Sequence, residues 1–235
     1  VISWGDASGS SLDGQHPIDA VQGEATIRPL FVTNSIGNQP SVRFDGKTTH
    51  LKLTDTPLSK QQFTFVIVAQ DKSDDDGHRE LISNWNSRGR SINSLFLGMT
   101  KGGTVRLSDA FPNAGQLFDP KQAFIVTGTN SAARSAVYQN GAILAESGPL
   151  TKRVLEGPWV VGTQGNINGE FWLGDISELM VFERELSPTE LRKVWSYLAL
   201  KYGIPLRVDG KSPERYALAS LCHVLFNTNE FIYLD

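Results

Sequence analysis

Between residues 26 and 183 the chain repeats one pattern: a short apolar run, then a cluster of Gly, Pro, Asn, Asp or Ser. The runs include TIRPLF, SVRFDG, THLKL, FTFVIVAQ, ELISN, SLFLGM, TVRLSD, AFIVTGT, PWVVG and FWLGDISELMVF. About a dozen such strands predict an antiparallel sandwich or barrel, because a parallel sheet would need helical crossovers between them. FTFVIVAQ and FWLGDISELMVF carry apolar residues on both faces, which places each centrally and covered on two sides. Asn140-Gly141, between SAVYQ and AILAE, supplies the two positive φ angles of a type I′ hairpin turn.

One helix interrupts the pattern, and both of its ends are specified. Ser187 is the expected N-cap, Pro188 takes the first helical position, Glu190 closes a capping box, and Leu186 faces Leu191 as a staple. Gly203 supplies a left-handed C-cap and Pro205 prevents continuation. Leu191, Val194, Trp195, Leu198 and Tyr202 recur at helical spacing, so one face must dock on the sheet or across the open end of the sandwich. After residue 204 the composition shifts to a polar linker and a second amphipathic stretch opening at Ser212-Pro213 and ending near Asn227. The expected organisation is a domain over 1–204 and a separate helical appendage over 205–235.

Composition excludes several classes. A chain of 235 residues with 40% hydrophobic and 20% charged residues is long enough for one large β domain. Net charge is −3 with Lys and Arg scattered, so the electrostatic footprint of a nucleic-acid binder is missing. No run approaches the roughly 20 apolar residues of a membrane-spanning helix, so membrane insertion is not expected. A single cysteine, Cys222, precludes an internal disulfide; its apolar neighbours predict a buried helix position.

Catalytic signatures are also missing. The four histidines show no metal-ligand spacing, and neither a Gly-x-Ser-x-Gly elbow nor a phosphate loop occurs. A glycosidase needs two carboxyls flanking the cleaved bond. Glu170, Asp175 and Glu178 are the nearest approach, but even alternation puts Glu170 and Glu178 on one strand face and Asp175 on the other. DKSDDDGHRE, residues 71–80, reads as a solvated rim loop.

The stretch at 84–94, NWNSRGRSINS, combines Trp85 with Asn86, Arg88, Arg90 and Asn93 between two strands. An aromatic ring stacks on the C–H face of a pyranose while amide and guanidinium groups hydrogen-bond its hydroxyls. The Arg fork also suits a sulfated or uronic sugar. The bland alternative is a polar loop whose Trp85 packs on the sandwich. Trp4, Trp159, Trp172 and Trp195 read as core.

Four segments together carry a family resemblance: WGDASGSSLDG at 4–14, PSVRFDGKTTHLKL at 40–53, VYQNG at 137–141, and the strand and helix at 171–204. Over residues 1 to about 204 the chain resembles the laminin-G-like branch of the concanavalin A-like lectin/glucanase superfamily, in its bacterial form. The resemblance implies an all-β, two-sheet antiparallel jelly-roll sandwich whose end helix packs against it as a lid. It implies a noncatalytic module for poly- or oligosaccharide binding or surface adhesion, outside the cytoplasm, with a purely structural protein-interaction module as the alternative.

Concanavalin A-like hydrolases carry a Glu-x-Asp-x-(x)-Glu run, and no such run occurs here. Many laminin-G-like members hold a structural metal between the two ends of the chain, so Asp6, Asp175 and Glu178 are the implied ligands of one Ca²⁺. Alternatively, Asp6 closes an Asx turn and Glu178 pairs with an Arg or backbone N–H. The tail ALASLCHVLFNTNEFIYLD resembles the ends of large planctomycete proteins. That implies a longer exported parent whose other domains are partners.

Overall fold

The structure is a computed structural model and describes residues 1–8, 17–74, 77–85, 93–109, 115 and 117–207. The expected appendage beyond residue 207, with Cys222, lies outside the described residues. Fourteen strands are described: β1 (Ser3–Trp4), β2 (Ala20–Val21), β3 (Leu30–Val32), β4 (Ser41–Asp45), β5 (Leu51–Leu53), β6 (Phe63–Asp71) and β7 (Arg79–Ser83), then β8 (Phe96–Met99), β9 (Val105–Leu107), β10 (Phe124–Asn130), β11 (Ser135–Gln139), β12 (Ala142–Ser147), β13 (Val160–Val161) and β14 (Leu173–Phe182). They form two seven-stranded antiparallel sheets, ordered β1-β2-β5-β13-β7-β8-β9 and β12-β11-β10-β6-β14-β4-β3. The helix α1 spans Pro188–Tyr202.

The two most apolar strands are interior neighbours in the second sheet, and β6 is covered on both sides. Phe63, Phe65, Ile67 and Ala69 of β6 join the core between the sheets with Trp159, Trp172 and Ile176. The alternate residues Val66 and Val68 point outward, where Leu191, Trp195, Leu198 and Tyr202 of α1 cover them. The helix therefore docks on the sheet face, not across the open end. Its capping box is complete, and Gly203 adopts φ 64° as the left-handed cap. Trp4, Trp159, Trp172 and Trp195 all pack in or against these apolar clusters.

Past Gly203 the chain stays on the sandwich. Ile204 and Leu206 pack into the helix cluster, and Arg207 N–H donates to Asn140 C=O at 2.7 Å. Asn140 and Gly141 take φ of 48° and 84° and join β11 to β12, the expected type I′ geometry. At the opposite margin β3 is an edge strand whose Leu30 and Phe31 are more than half exposed.

Two departures from simple alternation bear on function. In β14, Ile176 pairs with Ala69 and Glu178 with Val68, leaving Ser177 as the extra residue of a β-bulge. The bulge reverses the parity: Glu178 faces outward with Asp175, while Ile176 points into the core. The even-alternation assignment that separated Asp175 from Glu178 is corrected by this one residue. The stretch at 71–80 is also less solvated than its composition implies, because Asp71 and Arg79 form a buried ion pair at 2.6 Å and Ser73 and Glu80 are buried.

Candidate functional site

The base of the loop following β7 is tied shut by Asn84. Its backbone N–H donates to Leu95 C=O at 3.0 Å, its side-chain oxygen accepts from Leu95 N–H at 2.8 Å, and its amide donates to Val154 C=O at 2.9 Å. Trp85 and Asn93 stand at the two feet of this loop. Trp85 N–H donates to Ser83 Oγ and its C=O accepts from Asn166 N–H, so its backbone is held from both sides. Its ring is half-buried and does not count among the side chains packed against either apolar cluster. Asn93 is exposed and its C=O accepts from Val154 N–H. Asn86, Arg88 and Arg90 lie outside the described residues.

The three carboxylates implied as calcium ligands serve other partners. Asp6 accepts Ser8 N–H and Ile18 N–H, the first being the Asx-turn contact. Asp175 is fully buried and takes Arg43 Nε at 2.6 Å, Lys72 Nζ at 2.7 Å and Ser35 Oγ at 2.6 Å. Burial pushes the Asp175 carboxyl up, but the bonds from Arg43, Lys72 and Ser35 outweigh it and hold it down at about 2. Glu178 receives Lys201 Nζ at 2.8 Å and Tyr202 Oη–H at 2.5 Å, which pins the last turn of α1 to β14. Burial first, and then the Glu178 carboxylate, raise the Tyr202 hydroxyl above its ordinary value.

Among the described residues no group of three His, Cys, Asp or Glu side chains could hold a metal ion. Two cations already sit on Asp175 and one on Glu178, so this donor set does not fit Ca²⁺, which needs six to eight oxygens.

A carboxyl pair the sequence reading missed lies on the outward face of the first sheet. Glu80 of β7 and Arg106 of β9 both pair with Gly98 of β8, where a Cβ would meet Arg79 C=O at 2.7 Å and Glu80 Cγ at 3.2 Å, so Glu80 takes the room that a larger residue would need. Glu80 is fully buried, with no hydrogen-bond donor on either carboxyl oxygen and Arg106 at 4.0 Å. Arg106 instead pairs with Glu170 at 3.2 Å and stacks over the Phe96 ring at 4.6 Å. Burial, and then the neighbouring Glu170 carboxylate, push the Glu80 carboxyl well above its ordinary value, which favours its protonated form. A Glu inside the otherwise apolar run ELIS was the available signal.

A second concavity, of about 450 Å³, opens where the C-terminal end of α1 meets the β11–β12 turn. Phe118, Asp119, Gln139, Asn140 and Arg207 line it, and the sequence reading proposed none of them.

With this geometry in place, the chain can be set beside known proteins. A laminin-G model, described as the concanavalin A-like lectin/glucanases superfamily, matches residues 44–192. No curated protein matches the chain in sequence. Similar solved structures include a sialidase of Trypanosoma rangeli in complex with the inhibitor DANA, at 18% identity and TM-score 0.53 over 76% of this chain and 29% of that one. A heptameric SAP-like pentraxin from Limulus polyphemus is 20% identical at TM-score 0.50, covering 65% and 80%. The receptor-binding domain of botulinum neurotoxin type G is 16% identical at TM-score 0.56, covering 89% and 55%. At these identities the likeness is one of fold.

Proposed function

The chain belongs to the concanavalin A-like lectin/glucanase superfamily, and we propose that it is a noncatalytic laminin-G-like module that binds poly- or oligosaccharide through the loop at Trp85. The carrying observation is the Trp85 ring: half-buried, outside both apolar clusters, on a backbone fixed by Ser83 and Asn166. A platform positioned in advance loses little entropy when a sugar stacks on it. The arginines of the adjoining loop, Arg88 and Arg90, give this site a preference for sulfated or uronic sugars.

A module of this kind acts on the outside of a cell, within a larger exported protein whose other domains supply its partners. The parent's activity is a separate matter, since the chain spans only 29% of the sialidase it resembles. Catalysis by the Glu80 and Glu170 pair is disfavoured because Glu80 is sealed from solvent and no substrate bond can lie between the two carboxyls.

The test is a polysaccharide array probed with the full chain and with Trp85→Ala. Binding of an anionic polysaccharide that the variant loses, at an unchanged melting temperature, supports the reading. Silence from the folded protein, or equal binding by the variant, refutes it. A specific observation favours one other reading, a structural interaction module: the open edge strand β3 exposes Leu30 and Phe31, and such an edge can accept a partner strand.

A further inference from the structure

We propose that the concavity between the C-terminal end of α1 and the β11–β12 turn is a second saccharide site, one that takes a neutral pyranose residue. The observation behind it is an unfilled set of donors. Gln139 and Asn140 are both more than nine-tenths buried, at 2% and 7% exposure. Their amide oxygens are already used: Gln139 Oε1 accepts Phe118 N–H at 2.7 Å, and Asn140 Oδ1 accepts Ile125 N–H at 2.8 Å. Those bonds fix which end of each amide is free. Among the described hydrogen bonds neither NH₂ group has a protein acceptor, yet both residues line the concavity. Both NH₂ groups keep contact with the solvent of the concavity, where they can donate to water or to the oxygens of a ligand.

The remaining lining selects the ligand. Phe118 is 50% exposed, with the Arg207 guanidinium 4.4 Å from its ring centroid. Asp119 supplies a carboxylate beside them. One aromatic ring, several amide and guanidinium donors and one carboxylate acceptor match vicinal hydroxyls, each of which both accepts and donates. The Arg207 guanidinium and the Asp119 carboxylate offset each other, so the lining carries no net charge to draw an anion. About 450 Å³ lies within the range of small-ligand sites and suits one or two sugar rings. This site is independent of Trp85 and of the anionic preference assigned there, so either can stand alone.

The experiment is a titration of the full ¹⁵N-labelled chain with neutral mono- and disaccharides and, separately, with glucuronic acid, reading the side-chain NH₂ resonances of Gln139 and Asn140. A neutral sugar is expected to move both pairs of resonances. Phe118→Ala, at an exposed ring, is expected to weaken that binding at least tenfold. Gln139→Glu keeps the acceptor for Phe118 N–H, replaces the NH₂ donors by a carboxylate oxygen, and is expected to weaken it similarly. Trp85→Ala is expected to leave it unchanged. The proposal is overturned if no neutral sugar moves these resonances, as when chain beyond Arg207 fills the concavity. It is equally overturned if glucuronic acid alone moves them, or if Phe118→Ala binds as the parent does.

Discussion

The indole N–H of Trp195 donates to Thr127 Oγ1 at 2.9 Å, joining the middle of α1 to the outward face of β10 where both side chains are buried. Apolar burial drives the helix onto the sheet, but this contact fixes its position along the strand. Thr127→Val keeps the shape and leaves the indole N–H buried without an acceptor. It should destabilise the fold by about 1–3 kcal/mol, read as a lower urea midpoint with an unchanged slope.

Asp175 should give the molecule part of its acid sensitivity. Its folded value lies at about 2 and an unfolded Asp titrates at about 3.9, so its contribution is complete above that unfolded value. The contribution is lost as pH falls through about 2. The stabilisation is on the order of 2 kcal/mol. Asp175→Asn should lower stability at pH 6 and flatten the decline between about pH 4 and 2, as measured by urea denaturation across that range.

Glu80 has the opposite sign. Its folded value is raised, so the native state holds a proton that the unfolded chain releases above about pH 4.3. Stability therefore declines as pH rises above that point, until the folded carboxyl itself titrates. Glu80→Gln should flatten this alkaline decline and equal or exceed the parent in stability at pH 8. A variant with the parent's slope would show that Glu80 is ionised in the native state.

Calcium should have little effect on the fold, because Asp175 and Glu178 already carry cations. Saturation of a native-state site at 100 times its dissociation constant adds about 2.7 kcal/mol, or roughly 5–10 °C for a domain of this size. Melting scans with saturating calcium and with a chelator should coincide within about 1 °C.

What could be read from the sequence was what local chemistry decides. Ser187, Glu190 and Gly203 specify the ends of α1 within a few residues of themselves, and Asn140-Gly141 specifies its turn. The continuous apolar character of β6 already implied cover on two sides. The bulge at Ser177 was not legible, because an extra residue is defined only by the partner strand β6. Glu80 was misplaced for a related reason: its burial depends on Glu170, Arg106 and the close approach at Gly98, all distant in sequence. Likewise, nothing near Asp175 announces Arg43, which lies 132 residues away. The lining at Phe118, Gln139 and Arg207 was missed because three separate segments contribute to it.

The cover that α1 gives the second sheet also has a schedule. Thr127 precedes Trp195 by 68 residues, and ribosomes add roughly 5–20 residues per second. The outward face of β10 is therefore made about 3 to 14 seconds before the helix that shelters it, and that of β6 earlier still. During that interval Val66, Val68 and Ile125 lack the helix that covers them, and β14, the strand beside β6, is itself made only shortly before α1. A nascent chain that stops before Leu191 lacks the cover these side chains receive from α1.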